Sequence, residues 1–234
     1  MYTVSYHDPF TSSAVCVPAA NSYQGSSLSG TYLLMDAWLE IIVRQLILYS
    51  LPVLVSLTCI SMVEACLLKK TIPHPFYAIS WRGTWFPLLA SLAFHRGIII
   101  ALPNTMENNI KLTALRFATH VALCLLGFLL YTWSLTQQAP AGLPPVHHWW
   151  AKVLMFFNLC MACLHLLPLP GLLAGQALAA TKSARFICTY LNAHHGVLVL
   201  SLLAASPLLD LILGNSIVFP IYESLSSLAR NFSS

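Results

Sequence analysis

The sequence predicts an all-α fold, a polytopic bundle of membrane helices with five or six membrane segments. Hydrophobic residues make up 58% of the 234 residues and charged residues only 8%, against roughly 25% charged in soluble domains. Apolar runs close to the length of about 20 residues that crosses a bilayer recur along the chain, separated by short polar or proline-containing connectors. We therefore expect an integral membrane protein.

Charge and cysteine usage exclude two other classes of protein. The formal net charge is +4, and the Lys and Arg residues stand singly or in pairs near the ends of apolar runs. Cations in that arrangement are topology anchors, and no basic stripe indicates a nucleic-acid partner. Most of the seven cysteines lie inside apolar segments, where free Cys behaves as a small hydrophobic residue. A disulfide framework is not expected.

Residues 1–31 differ from the rest of the chain. They lack both a basic n-region and an uninterrupted apolar run, so they do not resemble a signal peptide. We expect an extramembrane extension over 1–31 and a membrane domain over 32–234. Within that domain the core covers about 46–182, and C-terminal helices cover 183–234.

The membrane domain begins with an amphipathic stretch. Asp36, Glu40 and Arg44 recur every four residues over 32–45, which predicts a helix at the membrane interface. Residues 46–68 then predict the first core helix. Glu64 lies near its end, and we interpret it as a carboxylate that reaches the interface beside the following lysines. The alternative is a functional intramembrane carboxylate.

The second apolar segment, 83–102, is ambiguous. His95-Arg96-Gly97 lies past its midpoint, and an Arg facing lipid costs roughly 2.5 to 3.5 kcal/mol on insertion scales. Either Arg96 faces protein, or the segment is a broken hairpin. The cations on both sides of it can all be cytoplasmic only if the segment is re-entrant. Residues 112–135 predict an uncomplicated span.

The stretch Trp149–Leu178 organises the chain. It is an apolar helix that stops at Pro168 and Pro170 and then restarts. Proline removes a backbone donor and drives the preceding residue towards an extended conformation, which predicts an irregular break over Leu167–Gly175. Beyond it we expect a span over 196–213 and a tilted or surface helix over 217–232.

Four landmarks, in order, resemble the site-2 protease family of intramembrane zinc metalloproteases. Residues 74–84, HPFYAISWRGT, are similar to the family's N-P-x-x-H-I-D-P-x-G-T. Residues 118–120, ATH, stand where the family has A-G-P-x-x-N. Residues 165–176, HLLPLPGLLAGQ, are similar to N-L-L-P-x-P-P-L-D-G-G-R, and 208–214, LLDLILG, to the closing run.

The resemblance implies the family's helical frame without its metal chemistry. The family binds zinc through two His and an Asp, with a Glu as general base, but this chain has no H-E-x-x-H. Leu173 stands for the Asp. The degenerate active-site positions are Glu64, His120, His165 and Leu173, with no metal and no cofactor expected. We interpret His120 and His165 as hydrogen-bonded core residues, and Cys160 and Cys163 as packing residues.

The functional expectation is a pseudoenzyme without peptidase activity. It would be a binding or accessory subunit of another membrane protein or larger complex in a bacterial inner membrane. We expect the partner contact at Phe76, Trp81 and Trp85. Two alternatives remain. One is a divergent intramembrane metallopeptidase with a rebuilt site. The other is a transport or redox accessory subunit with a polar path along Glu64, Arg96 and Asp210.

Overall fold

The computed structural model describes residues 27–104, 109–137, 144–169, 172–179 and 196–233, and every regular element in this part of the chain is helical. Two compact units result, residues 1–42 and 43–234. Helix α1 covers Ser27–Leu67. The helices that follow are α2 (Phe86–Ala93), α3 (Ile110–Thr136), α4 (Val146–Leu164), α5 (Leu173–Ala179), α6 (Gly196–Ala205) and α7, which is π-helical over Asp210–Val218 and α-helical over Phe219–Ser233.

Three of the described helices are long and apolar enough to cross a membrane. They are Trp38–Leu67 in α1, Ile110–Thr136, which is α3, and Asp210–Ser233, which is α7. The outward faces of α1 and α3 carry exposed large apolar side chains, such as Val55, Met62, Leu125 and Leu129. Helices that face lipid have this pattern, because their backbone polar groups are satisfied internally and their outer side chains need no water. The prediction of an all-helical chain with membrane-length helices is confirmed.

The first helix differs from the expectation. An interfacial helix over 32–45 and a separate span from residue 46 were expected, but α1 runs without interruption from Ser27 to Leu67. At residue 46 the sequence changes from amphipathic to uniformly apolar. This change alters the surroundings that suit the helix, but it places no helix-terminating residue at the expected boundary. Pro52 lies inside α1, and the Ser56 hydroxyl donates to its carbonyl at 2.8 Å.

Helix α4 forms the centre of the second unit. All of its residues from Val153 to Leu164 are buried. Its closest neighbour is α3, where a Cβ added to Gly127 would lie 2.5 Å from the Met155 backbone nitrogen. Small residues permit such close approach of two helix backbones.

Residues 81–104 form a hairpin that enters as helix and returns extended. A π-helical turn over Trp81–Trp85 leads into α2. The returning chain pairs with its own beginning, since the Leu102 N–H donates to the Gly83 carbonyl at 2.9 Å and the Asn104 N–H donates to the Ala78 carbonyl at 2.9 Å. The helical arm over 81–93 has 13 residues and is therefore about 20 Å long. About six or seven extended residues cover the same distance, so the returning arm needs fewer residues than the helical arm.

The tip of the hairpin is held by groups distant in sequence. The Arg96 Nε donates to the Ala205 carbonyl at 2.8 Å, and the Asp210 carboxylate accepts from the Ile98 N–H at 2.8 Å. Extended backbone inside an apolar bundle must find such partners. Arg96 therefore faces protein, and the segment is also a broken hairpin.

The C-terminal helices are divided differently from the prediction. The expected span 196–213 is wrong, because α6 ends at Ala205 and the long helix begins only after Pro207. Proline disfavours helical geometry at the residue before it, here Ser206. The expected short helix 217–232 is the second half of the long helix α7.

The break after α4 is confirmed. Helix α4 ends at Leu164 and α5 begins at Leu173. Pro168 follows the last helical turn, whereas Pro170 and Gly171 lie outside the described residues. A Cβ added to Gly175 would lie 1.9 Å from the Leu169 carbonyl oxygen, so the chain passes against the new helix too closely for any side chain there.

Candidate functional site

A chain of buried polar groups joins three helices at the centre of the second unit. Asn158 on α4 is fully buried. Its amide nitrogen donates to the Ser56 hydroxyl of α1 at 2.8 Å and to the Leu154 carbonyl at 2.8 Å. Its amide oxygen lies 2.9 Å from Nδ1 of His120 on α3. Polar groups inside an apolar bundle are costly unless they are paired, and these are paired across helices.

The direction of each hydrogen bond in this chain can be deduced. A carbonyl oxygen can only accept, so the Asn158 group that meets the Leu154 carbonyl is the NH₂ and the group that meets His120 is the oxygen. His120 must therefore donate from Nδ1. The Nε2 of a neutral His120 ring then carries the lone pair.

His165 joins the end of α4 to the beginning of α5. Its Nδ1 accepts from the Leu173 N–H at 3.3 Å, and its carbonyl accepts from the Ala174 N–H at 3.0 Å. A neutral ring that accepts at Nδ1 carries its proton on Nε2. The ring is buried and lies against Phe117, with 6.3 Å between ring centroids. Its role in the fold is to close the break after α4.

The two imidazoles face one another. The ring centroids of His120 and His165 are 5.7 Å apart, with the planes at 44°. Phe157 packs edge-on against His120 at 6.3 Å. The deduced tautomers of the neutral rings give His120 a lone pair at Nε2 and His165 a proton at Nε2.

A buried ion pair lies one helical turn from His120. The Arg116 guanidinium on α3 binds the Glu64 carboxylate on α1, and the two residues are 5% and 8% exposed. The interpretation of Glu64 as a carboxylate that reaches the interface is therefore wrong. Arg116 is likewise not a topology anchor at a helix end. The pair ties α1 to α3 where α1 approaches its C-terminus.

Two hydroxyls on α1 add to the polar character of this region. Within the described residues, the buried Ser61 and Thr58 hydroxyls have no hydrogen-bond partner. They lie in the stretch where the family resemblance would require metal-binding histidines. Among the described residues, no group of three or more His, Cys, Asp or Glu side chains could hold a metal ion.

The structure brings together the four positions predicted from the resemblance. His120 contacts His165, His165 binds the backbone of Leu173, and Glu64 reaches the same region through Arg116. Leu173 contributes its N–H, not its side chain. The interpretation of His120 and His165 as hydrogen-bonded core residues is confirmed. Cys160 and Cys163 are both buried in α4, as packing residues would be.

Sequence reasoning missed three members of this cluster: Ser56, Arg116 and Asn158. A polar Asn in the middle of the apolar run FFNLC is a signal that could have been used, because intramembrane polar residues usually have a partner. Nothing in the local pattern of Ser56 or Arg116 indicates which distant group each one meets.

The aromatic residues predicted to contact a partner lie on and beside the entrance of the hairpin. Phe76 is 73% exposed and Trp81 is 68% exposed, whereas Trp85 is half-buried. Tyr77 beside them is 72% exposed. Trp85 is therefore less available to a partner than the other two.

Fold and site together define a class: within its described residues, an all-helical protein with three membrane-length helices and a hydrogen-bonded polar cluster that joins α1, α3 and α4. No protein-family model matches the chain, and neither a curated protein nor a solved structure is significantly similar to it.

Proposed function

We propose that this chain is a non-catalytic, site-2-protease-like protein of the bacterial inner membrane. It would act as a binding or accessory subunit of another membrane protein or of a larger membrane complex. One observation carries the proposal. The side chains that stand near the family's catalytic positions are engaged in hydrogen bonds that hold the helices together. His120 is bonded to Asn158, and His165 is bonded to the start of α5.

The chemistry of hydrolysis supports the same proposal. A zinc hydrolase needs three protein ligands, an open coordination position and a general base. Glu64 is a carboxylate beside the cluster, and it is bound by the Arg116 guanidinium. It would have to leave that ion pair before it could accept a proton from a substrate or a water molecule.

A mild-detergent co-purification tests the proposal. Trp81 is 68% exposed at the hairpin entrance, and Trp133 is 56% exposed on α3, so the variants Trp81→Ala and Trp133→Ala remove similar side chains from different surfaces. We expect a stoichiometric membrane partner that is lost in Trp81→Ala and kept in Trp133→Ala, because aromatic anchors tend to dominate interfaces. Both variants must retain the thermal unfolding of the parent.

Two results would contradict the accessory role. One is the absence of any stoichiometric partner. The other is a folded His120→Gln or His165→Asn variant that still binds its partner but loses all activity in the cell. The second result would indicate that the polar cluster itself acts in catalysis or transport.

A rebuilt metallopeptidase is the second candidate. The facing imidazoles of His120 and His165, 5.7 Å apart between centroids, are the observation behind it, although the described residues offer no third His, Cys, Asp or Glu ligand beside them. Zinc content separates the two candidates. We expect no stoichiometric zinc after dialysis of the purified protein against a chelator. One equivalent per chain, lost on replacing either histidine, would establish the metallopeptidase candidate instead.

The transport or redox alternative has less support. Glu64, Arg96 and Asp210 were the residues expected to line a polar path. Each has a partner within the fold, respectively Arg116, the Ala205 carbonyl and the Ile98 N–H.

A further inference from the structure

Four exposed cations lie at one end of the bundle, although they are far apart in sequence. Lys69 and Lys70 follow the last turn of α1, and Lys111 lies in the first turn of α3. The Glu64–Arg116 ion pair joins these two helix ends, since Glu64 lies just before the lysine pair and Arg116 just after Lys111.

The hairpin brings the fourth cation, Arg82, to the same end. Because the chain returns to its own beginning, with Asn104 bonded to Ala78, both ends of the hairpin lie together. Asn104 and Lys111 are only seven residues apart in sequence. Arg82 is exposed beside the hairpin entrance. The end of α1, the entrance of the hairpin and the start of α3 therefore form one surface, which we call the basic end.

Aromatic side chains accompany these cations. Phe76, Tyr77 and Trp81 are 73%, 72% and 68% exposed. Exposed Tyr and Trp rings beside Lys and Arg are typical of the level where lipid headgroups begin, because the ring is apolar whereas the Tyr hydroxyl and the Trp indole N–H are polar. They indicate that the neighbouring cations lie at the depth of the lipid phosphates.

The basic end carries an excess of positive charge. Residues 68–111 contain one acidic residue, Glu107, against the five basic residues Lys69, Lys70, Arg82, Arg96 and Lys111. Glu64 is buried and bound to Arg116. At the opposite end, where α3 ends and α4 begins, Lys152 lies over the Trp149 ring at 5.3 Å and the Tyr131 ring at 5.7 Å. Lys152 is half-buried there, whereas the four cations of the basic end are exposed.

We propose that the basic end is a binding surface for anionic phospholipid headgroups, formed by Lys69, Lys70, Arg82 and Lys111. Lys and Arg close to an anionic leaflet attract its phosphate groups, and such attraction falls off within a Debye length. The aromatic rings hold the surface at headgroup depth, and the cations bind the phosphates. This inference depends on the proposed membrane location, and it shares Phe76 and Trp81 with the proposed partner contact.

The test uses the full chain in an uncharged detergent, titrated with phosphatidylglycerol or with phosphatidylcholine. Thermal unfolding reports binding, and native mass spectrometry reports retained lipid. We expect phosphatidylglycerol to raise the unfolding temperature more than phosphatidylcholine does, with the difference reduced by added salt. The triple variant Lys69→Gln/Lys70→Gln/Arg82→Gln should bind phosphatidylglycerol more weakly, on the order of tenfold or more.

Arg230→Gln is the matched control, because Arg230 is an exposed cation near the end of α7, and its preference for phosphatidylglycerol should be unchanged. Equal effects of the two lipids, or an undiminished preference in the triple variant, would overturn the inference. So would an equal loss in Arg230→Gln, or the same stabilisation by inorganic phosphate alone. If the triple variant lost its protein partner but kept its lipid preference, the basic end would be a protein interface.

Discussion

Asn158 is the residue on which the polar cluster depends. Its amide joins α4 to α1 through Ser56 and to α3 through His120. We expect Asn158→Leu to lower the free energy of unfolding by about 1 to 3 kcal/mol, because the buried His120 Nδ1–H loses its acceptor. The loss should lie near the low end, since side chains unfolded within a bilayer or micelle also find partners.

A second replacement checks the reason for that loss. Adding His120→Phe to Asn158→Leu removes the unpaired donor, so the double variant should lose less than the sum of the two single variants. Gln137→Ala, at an exposed position, is the control and should be near neutral. Detergent-induced unfolding gives the free energy of unfolding of the two single variants, the double variant and Gln137→Ala, each compared with the parent. Strictly additive losses would mean that the two side chains do not interact.

The Glu64–Arg116 ion pair gives a stronger prediction. Removing one partner leaves the other charge buried without compensation, which costs about 3 to 5 kcal/mol. We expect Glu64→Leu to be destabilised by that order. Glu64→Leu/Arg116→Leu should be destabilised less than Glu64→Leu alone, because no unpaired charge remains. Thermal unfolding in one detergent compares them, and a double variant worse than both single ones would refute the explanation.

At the scale of elements, the hairpin is the feature with the clearest topological consequence. Its two ends are joined by hydrogen bonds from Leu102 to Gly83 and from Asn104 to Ala78. A thiol-reactive reagent that cannot cross the membrane should therefore label Arg82→Cys and Asn104→Cys from the same side. Gln137→Cys, just beyond α3, should be labelled from the other side.

This experiment needs a background in which the native cysteines are replaced. Labelling of Arg82→Cys and Asn104→Cys from opposite sides would show that the segment crosses the membrane.

The sequence left open whether residues 83–102 span the membrane or form a hairpin, and this ambiguity had a physical source. His95-Arg96-Gly97 indicates a polar interruption, but the position of the returning chain depends on Asp210, which lies 112 residues after Ile98.

At the scale of the whole molecule, the chain divides within α1 into two compact units, residues 1–42 and 43–234. We expect deletion of residues 1–30 to leave the thermal unfolding of the membrane domain nearly unchanged, because the described contacts of the polar cluster all lie within residues 43–234. Association with the partner should weaken, since we expect the extramembrane extension over 1–31 to add a contact surface that the helical core does not need. Loss of folding on deletion would contradict this independence, and unchanged association would remove the extension from the interface.

The sequence by itself determined the class of fold and two of its irregularities. A chain with 58% hydrophobic and 8% charged residues cannot cover a soluble surface, so helices of membrane length follow from composition. The break between Leu164 and Leu173 follows from the backbone chemistry of proline. Arg96 signalled that residues 83–102 could not be a simple lipid-facing span. These are local properties, which neighbouring residues decide.

Only the tertiary structure decided how the polar residues pair. Glu64 has Lys69 and Lys70 close by in sequence, yet it binds Arg116, which is 52 residues away. Asn158 binds Ser56, which is 102 residues away. Which side chains meet across a bundle depends on the rotation and depth of each helix, and these are set by all the contacts of the helix at once. Close approaches such as that of Gly127 to Met155 fix the rotation and depth of each helix. The local sequence pattern specifies neither quantity.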